Sequence, residues 1–345
     1  MRLKILFLIN YFGLGADRWI SSGYRDAFAD MGHEFGCVYF HDDLPKVLRE
    51  SRPDILFLVP SESVKNPENW PALRDARKKG TKVFLMADQT IAESPEKLPV
   101  YRDADIADVY WGENEAEWMQ DFVRASGRAY VTIPLAANKK FHFPVSPVRK
   151  YICDIAFLGA MMPLKRKIFD QLLIPLMKKY RVRVYGPGWT LKDKILKSVA
   201  ALARKAGAEK AGAWLTRQRI SVPVEEENQL YSSAKVSINI HERGPETKNH
   251  VFLNERGFKV PACGGFEICD YNLALRRYFA EDEVVMAEDD GEDWFRKIEY
   301  YIRHDDEREK IRKAGAARAL REHTYHHRAK RVLELAGFWK NENNH

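Results

Sequence analysis

Short apolar runs alternating with helix-length segments limit what this chain can fold into more than any other feature. KILFLI (Lys4 to Ile9) is followed by GHEFGCVYF, RPDILFLVP, TKVFLMADQ, DIADVYWGE and RAYVTIPLA, with helical stretches between them. A run apolar on both faces suits a strand buried on both sides, as in a parallel sheet. Parallel neighbours need long crossovers, and a strand recurring roughly every 20 to 30 residues leaves room for a helix in each. The pattern therefore predicts a doubly wound parallel sheet.

After FHFPVSPVR (Phe141 to Arg149), which carries two prolines and reads as a linker, a second series begins. Its strands are CDIAFLGA, RVRVYGP, AKVSINI, FEICD and EVVMAED, and DWFRKIEYYIRHDDEREKI is an amphipathic helix. At 345 residues, two domains are the default. The expected division is residues 1–145, residues 150–330 with a helical insert at 191–219, and a C-terminal helix and tail at 331–345. The fold class is α/β, with two Rossmann-like doubly wound domains facing a central cleft.

The sequence is 45% hydrophobic and 30% charged, as in an ordinary globular protein. No apolar run approaches the roughly 20 residues that span a bilayer. The short N-terminal apolar run lacks a small-residue cleavage site and reads as a first strand. Cys37, Cys153, Cys263 and Cys269 have no CxxC spacing, so neither a zinc site nor a disulfide framework is suggested and a reducing cytoplasm is expected. The net charge of +7 is concentrated: Lys192 to Arg219 holds eight basic residues against two acidic ones. With Ile195, Leu196, Val199, Leu202 and Trp214 along it, this insert is either a solvated helical excursion or a surface for an anionic membrane, peripheral on its inner face. Nucleic acid is a poorer fit because no aromatic platform interleaves with the charge.

HERGPETKNHVFLNERGFKVPACGGFEICD (His241 to Asp270) begins where one apolar strand ends and closes with another. Loops and helix starts at the carboxyl ends of strands are where open α/β sheets bind ligands, and free amides there favour an anion such as phosphate. The loop after the first strand has Gly13 and Gly15 but no GxGxxG, so a nicotinamide cofactor is not expected. No DxD motif occupies a suitable strand end, and no metal or cofactor is required. His323, Tyr325, His326 and His327 point different ways on a helix; HTYxxR is expected to lock the final helix onto the C-terminal lobe.

FLGAMMPLKRK, VYGPGW, YSSAKVSINIH, LNERGFKVPACGGFEICD, EDWFRKIEYYIRHDDEREKI and REHTYHHRA occur in that order over most of residues 150 to 330. Together with VTIPLAANKKFHFP they resemble the glycosyltransferases of the spore maturation protein CgeB-like group, within the GT-B superfamily. The resemblance implies a nucleoside-diphosphate-sugar donor on the C-terminal lobe, an acceptor mainly on the N-terminal lobe, and chemistry in the cleft. Polysaccharide biosynthesis is the expected setting, and the acceptor is a glycan, a lipid-linked intermediate or a protein.

A leaving nucleoside diphosphate gathers negative charge, so cations and amides aimed at it lower the barrier. Gly159 permits close backbone approach, and Arg166 could offer a guanidinium to phosphate. Arg243 and Lys248 are further cationic candidates. In many GT-B enzymes a glutamate before the small glycine turn holds the donor ribose; the aligned residue here is Lys259, and Glu255 is the substitute carboxylate. Gly264 and Gly265 serve a tight turn or phosphate approach. Gly13 and Gly15 sit where donor or acceptor would approach. Asp88 and Glu113, at strand ends, are candidate general bases, and His241 could contact sugar or phosphate. Two alternatives remain open: a noncatalytic glycan- or nucleotide-binding protein of this fold, and a nucleotide-sugar epimerase.

Overall fold

A computed structural model describes residues 1–9, 16–88, 90, 93–241, 253–288 and 291–339. The chain forms two compact units, Met1–Asn138 with Tyr325–His345, and Lys139–Thr324. In the first, β1 (Lys4–Ile9), β2 (Glu34–Tyr39), β3 (Ile55–Leu58), β4 (Lys82–Met86), β5 (Val109–Gly112) and β6 (Tyr130–Thr132) form one sheet in the order β2-β1-β3-β4-β5-β6. Every pairing is parallel. Side-chain alternation divides each apolar run between two cores. Leu6, Leu8, Leu56, Leu58, Val83 and Leu85 pack with Leu44, Leu48 and Leu73 of the helices Leu44–Ser51 and Trp70–Lys78. On the other face Phe7 stacks on Phe57 at 5.0 Å, and Tyr24 of the helix Ala16–Asp30 lies 5.2 Å from Phe57. Each such buried side chain contributes roughly 1.5–3 kcal/mol.

The final helix, Tyr325–Leu335, belongs to this first unit. The Tyr325 ring fills the space left by Gly23, where a Cβ would come within 2.1 Å of it. Arg328 donates to the Pro134 and Leu135 carbonyls at 2.9 and 3.2 Å, and His326 pairs with Asp30 at 2.8 Å. The HTYxxR segment thus anchors the last helix on the N-terminal unit instead of the C-terminal lobe. Residues 139–149 likewise attach to the second unit, because Ser232 and Ser233 hydroxyls accept from the amides of Val145 and Val148.

The second sheet contains β7 (Cys153–Leu158), β8 (Val182–Tyr185), β9 (Ala234–Asn239), β10 (Glu267–Asp270) and β11 (Val285–Ala287), in the order β11-β10-β9-β7-β8. All its pairings are parallel too. From β7 the chain runs outward to edge strand β8, passes through the helices Leu191–Lys205 and Glu209–Arg217, and returns on the other side of β7 as β9. The connections leave β7 and β9 in opposite directions, which opens a crevice beyond their carboxyl ends.

Candidate functional site

Two cations meet at that crevice. Arg256 donates through Nη1 to the Leu158 carbonyl at 2.9 Å and through Nη2 to the Ile240 carbonyl at 3.2 Å. Lys165 Nζ donates to the same Ile240 carbonyl at 3.0 Å. These carbonyls end β7 and β9, where the ladder no longer supplies a donor, so cationic side chains satisfy them. The Arg256 guanidinium also lies 5.4 Å from the Phe157 ring centre, and burial holds its pKa below the usual guanidinium value. Gly159 is needed for this arrangement: a Cβ there would lie 2.4 Å from Arg256 Nη1. The turn after β8 closes over it, with the Trp189 indole donating to the Gly159 carbonyl at 2.7 Å. Gly186, at φ +118°, has its Cα so near that carbonyl that a Cβ would approach within 2.3 Å.

A buried polar network continues from this point across β9 and β10. Asp270 accepts from the backbone amide of His241 at 2.8 Å and faces its Nδ1 at 3.0 Å. An ionised carboxylate can only accept, so it places the imidazole proton on Nδ1 and leaves Nε2 as an acceptor. Nε2 is buried and has no hydrogen-bond partner among the described residues. Asn239 donates to Glu267 at 2.7 Å and accepts from Asn254 at 2.9 Å. Burial pushes the Glu267 carboxyl up to about 8, and its second oxygen has no partner among the described residues.

The structure separates the residues singled out in the sequence. His241 and Gly159 belong to the crevice. Arg166 does not: it is 63% exposed and paired with Asp170 at 3.0 Å, one turn along its helix, while its neighbour Lys165 turns inward. Glu255 is buried at the start of the helix Arg256–Ala262, where its carbonyl accepts from the Lys259 amide at 2.8 Å. Lys259 is paired at 2.8 Å with Glu227, which also lies 3.3 Å from His142. The lysine and histidine outweigh burial and bring the Glu227 carboxyl down to about 2. Gly264 adopts φ +67° and donates to Pro261, and Gly265 donates to Val260. Both glycines close the helix before β10 begins, at the amino edge of the sheet, so the tight turn accounts for them. Gly13, Gly15, Arg243 and Lys248 lie outside the described residues.

In the first unit, Asp88 is 6% exposed and its carboxylate binds the strand ends together. It accepts from Tyr130 Oη at 2.6 Å, from the Asn114 amide at 3.3 Å and from the Glu113 amide. Burial raises its pKa to about 6 against these bonds. Each oxygen accepts at least one of these bonds, so Asp88 ties the ends of β5 and β6 to the loop after β4. Glu113 contributes its backbone to this junction, and its side chain is half-buried. A groove of about 720 Å³ lined by Arg49, Arg52, Asp54, Lys79 and Thr81 opens before β3 and β4, at the edge opposite to where such sheets bind ligands.

Residues 165–334 match a family model described as glycosyl transferase-like. The matched stretch is thus similar in sequence to glycosyl transferases, and the chain as a whole has the α/β fold with two parallel sheets seen in GT-B structures. Among solved structures, Anabaena Alr3699/HepE in complex with UDP and glucose superposes with a TM-score of 0.66 at 13% identity, over 98% of this chain and 100% of that one. The glycosyltransferase from Rickettsia africae ESF-5 gives 0.64 at 11%, over 99% and 100%. An alpha-glucosyltransferase bound to UDP and a 13-mer DNA containing a central A:G mismatch gives 0.63 at 14%, over 97% and 100%. At such identities these structures speak for the fold alone. A search of curated protein sequences found no match.

Four participants escaped sequence reasoning: Lys165, Arg256, Asp270 and Glu267. Lys165 sits in a run of three basic residues whose charges are alike in sequence, and only the helix start after Gly159 decides which one faces inward. Asp270 and Glu267 carried a usable signal, because an acidic residue inside the apolar strand FEICD requires a buried partner.

Proposed function

We propose that this chain transfers a sugar from a nucleoside-diphosphate-sugar donor to a glycan, lipid-linked or protein acceptor, as a CgeB-like enzyme of polysaccharide biosynthesis in the cytoplasm. One observation carries the reading: Lys165 and Arg256 converge on the Ile240 carbonyl at the switch point of the sheet, within the stretch that matches the family model. In this role the second unit takes the donor and the first takes the acceptor. The two cations stabilise the charge that gathers on the departing diphosphate, a task that some enzymes give to a divalent metal, and no metal is required. His241, oriented by Asp270, presents Nε2 to a donor or acceptor hydroxyl as hydrogen-bond acceptor or general base. Solved structures of similar fold hold UDP and UDP-glucose, which makes uridine donors the first to try. Lys259, where a ribose-binding carboxylate was expected, is neutralised by Glu227, and ribose recognition falls to other groups.

The test is release of nucleotide from UDP-, GDP-, TDP- and CMP-linked sugars by the purified chain, with membrane and glycan fractions supplied as acceptors. One donor should turn over, and His241→Gln should bind it normally while turnover falls by roughly 10²- to 10⁴-fold. Absence of turnover with every donor would return the protein to the noncatalytic reading, and unchanged turnover in the variant would remove His241 from the chemistry.

A further inference from the structure

The insert between β8 and β9 is a helical hairpin whose composition the transfer reaction does not explain. Its two helices, Leu191–Lys205 and Glu209–Arg217, pack closely at Gly212, where a Cβ would come within 3.2 Å of the Ala200 carbonyl. Arg204 turns into the hairpin and donates to the Gly212 carbonyl at 3.3 Å. Asp193 is held by Arg219 at 2.8 Å and accepts from the Gly188 amide, which ties the hairpin to the turn after β8. Internal packing and attachment are therefore complete on one side.

The other side is apolar. Leu191, Ile195, Val199 and Leu202 are 74%, 54%, 45% and 67% exposed, and Trp214 of the second helix is 59% exposed. At about 100° per residue the four aliphatic side chains fall within an arc of about 80°. The buried Asp193 and Ala200 lie on the opposite face. Lys192 flanks the stripe on one side, and Lys194 and Lys205 flank it on the other. Lys192, Lys194, Lys197, Lys205 and Lys210 are all exposed and form no ion pair with any described carboxylate. A helix kept in water has no use for so many exposed aliphatic side chains on one line. Cations bordering such a line, with a tryptophan beside it, match the boundary between acyl chains and anionic headgroups.

We propose that this hairpin seats the protein on an anionic lipid bilayer, with Leu191, Ile195, Val199, Leu202 and Trp214 in the headgroup boundary and the lysines against lipid phosphates. Charge selects this occupant: a second copy of the chain would set the same lysines against each other, and a nucleic acid would leave the aliphatic stripe in water. No described helix is long and apolar enough to cross a membrane, so attachment is to one surface.

The experiment is co-sedimentation of the full chain with phosphatidylcholine vesicles, with and without phosphatidylglycerol, at low and high salt. Binding is expected with phosphatidylglycerol at low salt, weakening as salt rises. Replacing Lys192, Lys194 and Lys205 by Gln should lower affinity by about 5-fold per charge removed, and I195E with L202E should lower it at least about 10-fold. All of these side chains are exposed, and circular dichroism checks that the variants fold. Four results would each overturn the proposal: no binding to anionic vesicles, equal binding to neutral ones, preference for a DNA duplex indifferent to I195E/L202E, or a dimer in solution that I195E/L202E dissolves.

Discussion

Replacing Glu267 by Gln probes the energetic strain of holding a carboxyl group in the centre of the second unit. Glu267 is 2% exposed, accepts one hydrogen bond from Asn239, and has a carboxyl pKa raised to about 8 from 4.5. A carboxyl whose pKa is higher in the fold than in the unfolded chain binds its proton more tightly when folded. Its contribution is therefore complete below about 4.5 and is lost as pH rises through about 8. At about 1.4 kcal/mol per factor of ten, the gap corresponds to about 5 kcal/mol in full, of which about 4 falls between pH 5 and 9. That is a large part of the roughly 5–15 kcal/mol that stabilises a typical domain. Glutamine has the same shape, still accepts from Asn239, and does not titrate. Urea unfolding of both proteins at pH 5, 7 and 9 should show near-equal stability at pH 5 and an advantage of a few kcal/mol for the variant at pH 9. A difference that stays constant with pH would refute the reasoning, because it would show that Glu267 ionises as readily in the fold as out of it.

Lys259→Met should destabilise the second unit by about 3–5 kcal/mol in urea unfolding, since it leaves the Glu227 carboxylate buried beside His142 without its ammonium partner. Adding Glu227→Leu to that variant should restore most of the loss. Asp88→Ala should lower the thermal midpoint through at least about 2 kcal/mol, because the amides of Glu113 and Asn114 and the Tyr130 hydroxyl lose their acceptor together. An unchanged midpoint would show that the Asp88 junction is not structural.

The strands KILFLI and ILFL within RPDILFLVP were legible because they are buried on two faces and have no polar alternation to confuse them with edge strands or surface helices, whereas AKVSINI was legible from its period-two alternation of Val236, Ile238 and Ile240 with Lys235, Ser237 and Asn239. The position of the crevice followed from the same source, since His241 had to stand at the carboxyl end of its strand. Two kinds of information were hidden. Which lobe receives the last helix depends on Gly23 making room for Tyr325 and on Arg328 reaching the Pro134 carbonyl. The local sequence of an amphipathic helix contains neither fact. Likewise, Arg166 and Lys165 are equivalent as charges, and a rotation of about 100° between successive helical residues sends one to solvent and the other to Ile240. Lys259 was conspicuous as a substitution, yet its meaning depended on Glu227, 32 positions earlier in the chain.

The most direct test of the account is a calorimetric titration of the folded chain with UDP, GDP, TDP and CMP, repeated with Lys165→Met and Arg166→Ala. Binding of one nucleoside diphosphate, weakened about 10-fold or more by Lys165→Met through loss of a charge-assisted contact and unaffected by Arg166→Ala, is the expected result. Binding lost in Arg166→Ala and retained in Lys165→Met, or no nucleotide binding at all, would contradict a donor site at the Ile240 crevice.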